Sequence, residues 1–397
     1  MKAPKPIKTA KAPDSGLNPV SRTFAAFMAC MLSLVIFAGC ASILTQETSD
    51  GYAGDKNSII MIAVGDNLIH EPLINNAWEK ETHNYNFEPY YSKVKDLIQS
   101  ADIAFVNQET LIAGEEFKYS GYPLFNGPKE IGDTLISVGF NVVNHATNHV
   151  MDKGEKAVQT VIDYWAAKPD VTVLGIYESK EVRAATQHIV ECKNIKIGFL
   201  SYTYGLNGIP LPKTKPYLVS LIDTAVMAEE IDALRPLCDI LVVSMHWGNE
   251  YEYQPSKQQE ELASFLAEHN VDLVIGHHPH VLQPVRRISK ADGTEMLCYF
   301  SLGNFISAQD KAPRLLGGMM RITIKRDTNK KAKIDTAELI PLVTHYEKDG
   351  KDFKVYFLND YSDTLALSHG IYRNSNKLSL EHFSNLIKTI FGDTIVP

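Results

Sequence analysis

Three observations predict an α/β fold. From residue 58 to about 325, apolar runs of strand length alternate with segments of helical patterning. Polar, chemistry-bearing residues cluster directly after those runs, where α/β folds place their sites. No internal repeat or low-complexity block interrupts the alternation. In order, Ser58–Val64 reads as a buried strand and Asp102–Asn107 as a second. Pro128–Val138 is patterned as a helix and leads into a third strand, Asn141–Asn144. Val171–Gly175 is a fourth and Ile195–Tyr202 a fifth. Ile240–Met245 and Leu273–Ile275 follow, separated by a helix over Ser256–His269. Met296–Ser301 and Gly317–Ile324 complete the alternating part. Beyond it, a Lys/Asp-rich turn (Arg326–Lys333), two strand-like runs and a helix around Leu378–Ile390 read as a small C-terminal α+β extension, residues 326–397.

At 397 residues and 45% apolar, the chain can bury a large core and is not disordered. Its charge is uneven. Residues 1–39 hold five basic groups and one acid, so 34 Lys and Arg face 46 Asp and Glu in the remainder, a formal −12. Such a balance argues against nucleic acid as a partner, because that affinity rests on Lys and Arg neutralising phosphates. The basic stretch precedes an apolar run, Phe24–Ala38, broken only by Ser33. The run is short for a membrane-spanning helix and suits a signal sequence. It closes on Phe37-Ala38-Gly39-Cys40, which resembles a bacterial lipobox with Cys40 as the lipidated residue. Residues 1–40 are therefore expected to be a lipoprotein signal, the alternative being an uncleaved anchor; residues 41–57 are expected to be a flexible tether. Either way the folded part lies outside the cytoplasm. Cys192, Cys238 and Cys298 lack CxxC spacing, form no disulfide or thiolate metal framework, and read as buried.

The strand ends collect hard and imidazole donors. Gly65-Asp66-Asn67 follows the first strand and Asn107-Gln108-Glu109 the second. Asn144-His145-Ala146-Thr147-Asn148-His149 follows the third, with Asp152 three residues on. His246-Trp247-Gly248-Asn249-Glu250 and Gly276-His277-His278-Pro279-His280 come after the later strands. Of thirteen histidines, eight lie between 145 and 280, and six of those sit at strand ends. Carboxylate, amide oxygen and imidazole together suit Mn, Fe, Zn or a similar divalent ion. A pair of ions about 3.5–4 Å apart would suit an in-line displacement. Singly, each piece has a plainer reading: Gly-Asp as a turn, Glu109 as a helix-dipole charge, His246-Trp247 as core. The joint pattern favours a metal site.

The order GD, NxE, NHxxNHxxDxG, HWGxE, GHHPH, SLGNF resembles the CapA family of bacterial capsule-synthesis proteins, associated with poly-γ-glutamate and related to calcineurin-like metallophosphoesterases. The resemblance covers about residues 58–325. It implies a four-layer α/β/β/α metallophosphatase-like sandwich and two divalent metal ions. It further implies Asp66 and His280 on the first ion, Glu109 bridging, Asn148, His246 and His278 on the second, and His149 with Asp152 as the catalytic pair. Three departures stand out: Gln108 replaces the usual Leu, Leu68 occupies the position of an Asp-x-His histidine, and Glu109 stands for a bridging Asp. His70 is read as a surface residue, with a compensating ligand as the alternative. Asn67, Asn107, His145, Glu250, His277 and Asn304 are candidates for substrate contact or ligand support. Tyr202, Tyr204, Tyr251 and Tyr253 are candidates for the cleft wall.

The resemblance implies a role in synthesis, export or attachment of an anionic envelope polymer such as poly-γ-glutamate, alongside membrane-embedded capsule-synthesis proteins. The protein would be anchored through Cys40 to the outer face of the cytoplasmic membrane. A phosphoesterase acting on another envelope substrate and an inert polymer-binding module are the alternatives. A polyanion partner requires a local cation or metal bridge on so acidic a chain.

Overall fold

Ten consecutive buried residues form β1 (Ser58–Asn67), and their unbroken burial reflects cover on both faces of a central strand. The computed structural model describes residues 58–371, 378–392 and 395. The expected signal, Cys40 and the tether over 41–57 lie outside them. A small hairpin, β2 (Trp78–Glu79) and β3 (Asn84–Tyr85), precedes β4 (Ile103–Asn107), β5 (Val142–Asn144) and β6 (Thr172–Leu174). Next come β7 (Ile189–Cys192), β8 (Ile195–Thr203), β9 (Ile240–His246), β10 (Leu273–His277), β11 (Leu282–Ser289) and β12 (Glu295–Leu302). The chain then returns through β13 (Asn304–Ile306), β14 (Leu316–Arg326), β15 (Ala332–His345) and β16 (Lys354–Phe357).

Two sheets result. The first has the order β16-β15-β14-β1-β4-β5-β6, with β13 also on β1; the second runs β11-β12-β10-β9-β8-β7. Strands β1, β4, β5 and β6 are parallel, as are β8, β9, β10 and β12. Side-chain parity shows how they stack, because alternate residues of a strand face opposite sides. In β9, Ile240 and Val242 join the large core shared with the first sheet, while Leu241, Val243 and Met245 join a second core. Strands β10 and β12 divide the same way: Leu273, Ile275, Leu297 and Tyr299 point in, Val274, Met296, Cys298 and Phe300 out. The outer core is closed by Met227 and Ile231 of the helix Thr224–Leu234 and by Leu262 and Leu266 of the helix Lys257–Glu268. On the first sheet, Ile131, Leu135, Val158 and Val161 of the helices Glu130–Val138 and Glu155–Ala166 supply the cover. Helix, sheet, sheet, helix is the four-layer arrangement the resemblance implied.

The segment after residue 326 is not appended to this sandwich but built into it. Strand β15 pairs with β14 from Leu316↔Val343 to Arg326↔Ala332, and β14 lies antiparallel on β1. The helix Leu380–Phe391 buries Phe383, Leu386 and Ile390, one helical stripe. These residues belong to the same compact unit as the preceding strands. Among the described residues no helix is long and apolar enough to cross a membrane. Of the cysteines, Cys298 is buried, whereas Cys192 and Cys238 are half-buried, so their expected full burial is corrected.

Candidate metal centre

Parallel register brings the donors together. Asp66 is the partner of Asn107, and Asn107 of Asn144, across β1, β4 and β5; in the second sheet His246 is level with His277. The carboxyl ends of both sheets therefore deliver polar side chains to one edge of the sandwich. Two glycines permit the close approach. A Cβ on Gly65 would stand 1.9 Å from the Gly303 carbonyl oxygen, and one on Gly276 2.0 Å from that of Phe300. His278 and His280 flank Pro279 with φ of 95° and 56°, a left-handed backbone that non-glycine residues adopt at a cost of about 1–3 kcal/mol each. That turn aims both imidazoles inward.

A hydrogen-bonded relay sets the orientation of His280. Asn144 Nδ2 donates to Asn107 Oδ1 at 2.7 Å, and Asn107 Nδ2 donates to Asp66 Oδ1 at 2.8 Å. The other Asp66 oxygen lies 3.1 Å from His280 Nδ1, which is also 3.0 Å from Asn304 Oδ1. Asn304 Nδ2 is committed to the Arg314 carbonyl at 2.9 Å, so its oxygen accepts and His280 Nδ1 carries the proton. His280 Nε2 is thereby left facing Glu109, 3.7 Å from Oε1. Asp66 holds an imidazole in a ligating tautomer, an arrangement that raises ligand basicity. Both of its oxygens are engaged in doing so, which separates it from the donors that remain free.

Those free donors face one another. Both Glu109 oxygens and His278 Nδ1 are buried without a hydrogen-bond partner. One ligand atom each from Glu109, His278 and His280 lies within 4.8 Å of the others, a triad able to hold a metal ion. His246 Nε2 is 3.8 Å from Glu109 Oε1 and 2.9 Å from Asn148 Oδ1. Two ligands about 2.1 Å from one ion at a right angle stand about 3 Å apart, so the His246 and Asn148 pair has ligand spacing as well. A buried carboxylate left unpaired is costly, and a divalent cation is the partner that this donor set fits.

Charge is tightly coupled here. Burial raises the Glu109 pKa well above the carboxylate range; His280 opposes this and Asp66 adds to it. Burial acts to lower the His280 pKa, but Glu109 and Asp66 overcome it and lift the group to about 9. Burial would raise that of Asp66, yet the His280 hydrogen bond and charge bring it down. Burial holds His278 at about 3 and His277 at about 4, and pushes His246 far down, so these rings are neutral. Neutral imidazole is the ligating form.

Beside the triad, His149 Nδ1 is 2.7 Å from Asp152 Oδ2, which also accepts from the Phe125 backbone N–H at 2.6 Å. The Phe125 ring packs edge-on against His149 at 4.6 Å. Asn207, which no sequence motif flagged, joins the two halves: its Oδ1 accepts from Asn148 Nδ2 at 3.1 Å, and its Nδ2 lies 3.3 Å from His149 Nδ1.

The remaining candidates separate. Asn67 points to the face of β1 opposite Asp66, where Tyr91 donates to it and it donates to Gln108, so it is a buried strut and not a substrate contact. Gln108 also donates to the Thr110 carbonyl. His145 Nε2 accepts from Trp165 Nε1 at 2.8 Å and so anchors the helix Glu155–Ala166. His277 stacks on Phe105 beneath the site, 3.7 Å from Asp66 Oδ1. Glu250 is exposed at the mouth. His70 is not a plain surface residue: half-buried, its Nδ1 lies 3.0 Å from the Leu68 carbonyl, which can only accept, and its ring packs edge-on against Phe125. Tyr204 and Tyr251 overlie His278 and His280 at 4.6 and 6.1 Å. Tyr202 is buried on the outer side, bonded to Glu230, and Tyr253 is half-buried against the core.

The chain is 27% identical over 234 residues to the PGA biosynthesis protein CapA of Bacillus subtilis (strain 168), spanning 58% of this chain and 60% of that one. It is 24% identical to the capsule biosynthesis protein CapA of Bacillus anthracis, spanning 72% of this chain and 69% of that one. The solved structure of the calcineurin-like phosphoesterase YfkN from Bacillus subtilis overlaps with a TM-score of 0.40 at 12% identity, covering 84% of this chain and 96% of that one. The family model described as "Bacterial capsule synthesis protein PGA_cap" matches residues 60–309, more than half of the chain, and the chain belongs to that family.

Proposed function

We propose that this is a metal-dependent hydrolase of the cell envelope, acting in the synthesis, export or attachment of a capsule polymer of the poly-γ-glutamate class. The observation that carries this reading is the Glu109 carboxylate, buried with neither oxygen partnered and faced by His246, His278 and His280. Glu109, His278 and the Nε2 atom of His280 would hold one divalent ion. His246 Nε2 and Asn148 Oδ1, together with Glu109, would hold a second; Asp66 would join only by giving up one of its present contacts. Mn, Fe or Zn suits this set, and such ions supply Lewis-acid polarisation and positive charge at a reacting oxygen.

The chain's own residues do the rest. His149, its Nδ1 held by Asp152, presents Nε2 for proton transfer to a leaving group. Asn207 accepts from Asn148 and lies against His149, and the Tyr204 and Tyr251 rings wall the approach. An anchor at Cys40 would place the site on the outer face of the cytoplasmic membrane, beside membrane-embedded capsule-synthesis partners. The similarity to two capsule CapA proteins supports the polymer class; a phosphoester of the envelope is the second substrate for the same donors.

The test is metal content and turnover of the purified chain, with γ-linked glutamate oligomers and a generic phosphodiester as substrates, beside Glu109→Ala and His278→Ala. One to two equivalents of metal, with turnover lost in both variants, is expected. Metal with turnover of the phosphodiester alone would move the substrate to a phosphoester. Absence of metal from the native chain would overturn the hydrolase reading in favour of a binding module.

A further inference from the structure

We propose that Arg314, held flat on Tyr251 at the rim of the metal centre, receives an oxyanion of the substrate. This rests on the reading of the site as a substrate-processing centre and adds the residue that selects its ligand. Arg314 lies outside residues 60–309 and so outside the span matched to the family. Its guanidinium carbon stands 3.5 Å from the centroid of the Tyr251 ring, and that ring is 6.1 Å from the His280 ring.

Both ends of this pair are tied to the ligand turn. The Tyr251 backbone N–H donates to the Pro279 carbonyl at 2.8 Å, between the two inward histidines, and Tyr251 adopts a left-handed φ of 68° to make the bond. The Arg314 carbonyl accepts from Asn304, the residue that also accepts from His280 Nδ1. Guanidinium and ligand therefore share one framework.

The guanidinium is also chemically available. It lies on the Tyr251 ring, and the adjacent acid, Glu250, is bonded to the Tyr251 hydroxyl. Stacking occupies the face of a guanidinium and leaves its N–H donors pointing outward in the plane, the fork that fits carboxylate or phosphate with two hydrogen bonds. Around it the site is acidic, with Glu109, Asp66 and Glu250, on a chain whose portion from residue 40 onward carries a formal −12. An anionic ligand needs a local cation to enter such a field, and Arg314 is placed to be that cation.

The experiment is calorimetric binding to the full chain in detergent. The probes are a γ-linked glutamate oligomer, its fully amidated uncharged counterpart and inorganic phosphate, with Arg314→Gln and Arg314→Lys beside the native chain. Metal content and melting temperature are followed in parallel. For Arg314→Gln we expect a loss of about 10- to 100-fold in affinity for the oligomer, with unchanged metal content and binding of the amidated counterpart. Arg314→Lys, which keeps the charge but not the fork, should fall between. The same dependence with phosphate alone would identify the oxyanion as phosphate and sustain the assignment. Native affinity of Arg314→Gln for both anions, or no anion binding by the native chain, would overturn it. Arg314-dependent binding by a chain without metal would sink the metal reading and leave this assignment standing.

Discussion

Replacing Glu109 by Gln should stabilise the metal-free protein and destabilise the metal-loaded one, relative to the native chain. The carboxylate is buried with neither oxygen hydrogen-bonded, and burial raises its pKa well above the usual range. The folded state then keeps a proton that the unfolded chain releases near pH 4.5. The associated stability is complete below that pH and is lost as pH rises toward the folded pKa, at about 1.4 kcal/mol per unit. The variant does not titrate. Its amide remains buried and unpaired, at a cost of about 1–3 kcal/mol, comparable with that of the protonated acid it replaces. In chelator the variant should therefore melt higher than the native chain, by an amount that grows as pH rises from 5 toward the folded pKa. Metal at a hundred times its dissociation constant adds about 2.7 kcal/mol to the native chain, about 4 °C for a fold of this length, and little to the variant. The assay is thermal unfolding across that pH range, with chelator and with Mn or Zn. A variant that melts lower in chelator at every pH, or equal stabilisation of both proteins by metal, would refute the reasoning.

Asp66→Asn cannot accept at both of the contacts that Asp66 makes with Asn107 and His280, so metal affinity should fall about 10- to 100-fold with the fold retained. Metal titration reads this, and native affinity would show that Asp66 does not orient His280. Because the coupled Glu109 and His280 pair retains at least one proton, metal must displace it. Affinity measured by chelator competition should rise at least tenfold per pH unit between 6 and 8; a flat profile would count against it. Burial holds His145 at about 3, so its contribution to stability is complete above pH 6.5 and is lost as pH falls from 6.5 toward 3. His145→Gln, which can still accept from Trp165, should flatten the acid limb by about 1.4 kcal/mol per unit, followed by tryptophan fluorescence. Gly276→Ala would set a Cβ 2.0 Å from the Phe300 backbone, a clash no rotamer relieves, and should cost more than about 3 kcal/mol or abolish soluble expression.

The long parallel strands were legible because they are covered on both faces and read as continuous apolar runs, with β9 and β10 extending past their expected ends to His246 and His277, whereas β7, β11 and β13 were not expected. The GHHPH motif revealed the donors but not that two of its histidines adopt left-handed φ, which is what turns them toward Glu109. Asn67 and Asp66 are adjacent in sequence, and only strand parity sends one to the metal centre and the other to Tyr91. Asn207 and Arg314 carried no local signal, since each acts through a loop contact set by tertiary structure. The same holds for residues after 326: their strand character was visible, but pairing of β15 on β14 and of β14 on β1 depends on the closed sandwich.

Glu109 comes from the first sheet, while His278 and His280 come from the second. An ion held by all three is a rivet between layers that share no covalent link there, so its grip measures sheet-to-sheet docking. Metal capture should then follow closure of the sandwich during folding, and loss of the ion should precede separation of the layers. In hydrogen exchange, chelation should open the carboxyl-end edges of β1, β4, β9 and β10 together while their opposite ends stay protected. Such an ion would make this edge the last to assemble and the first to report damage.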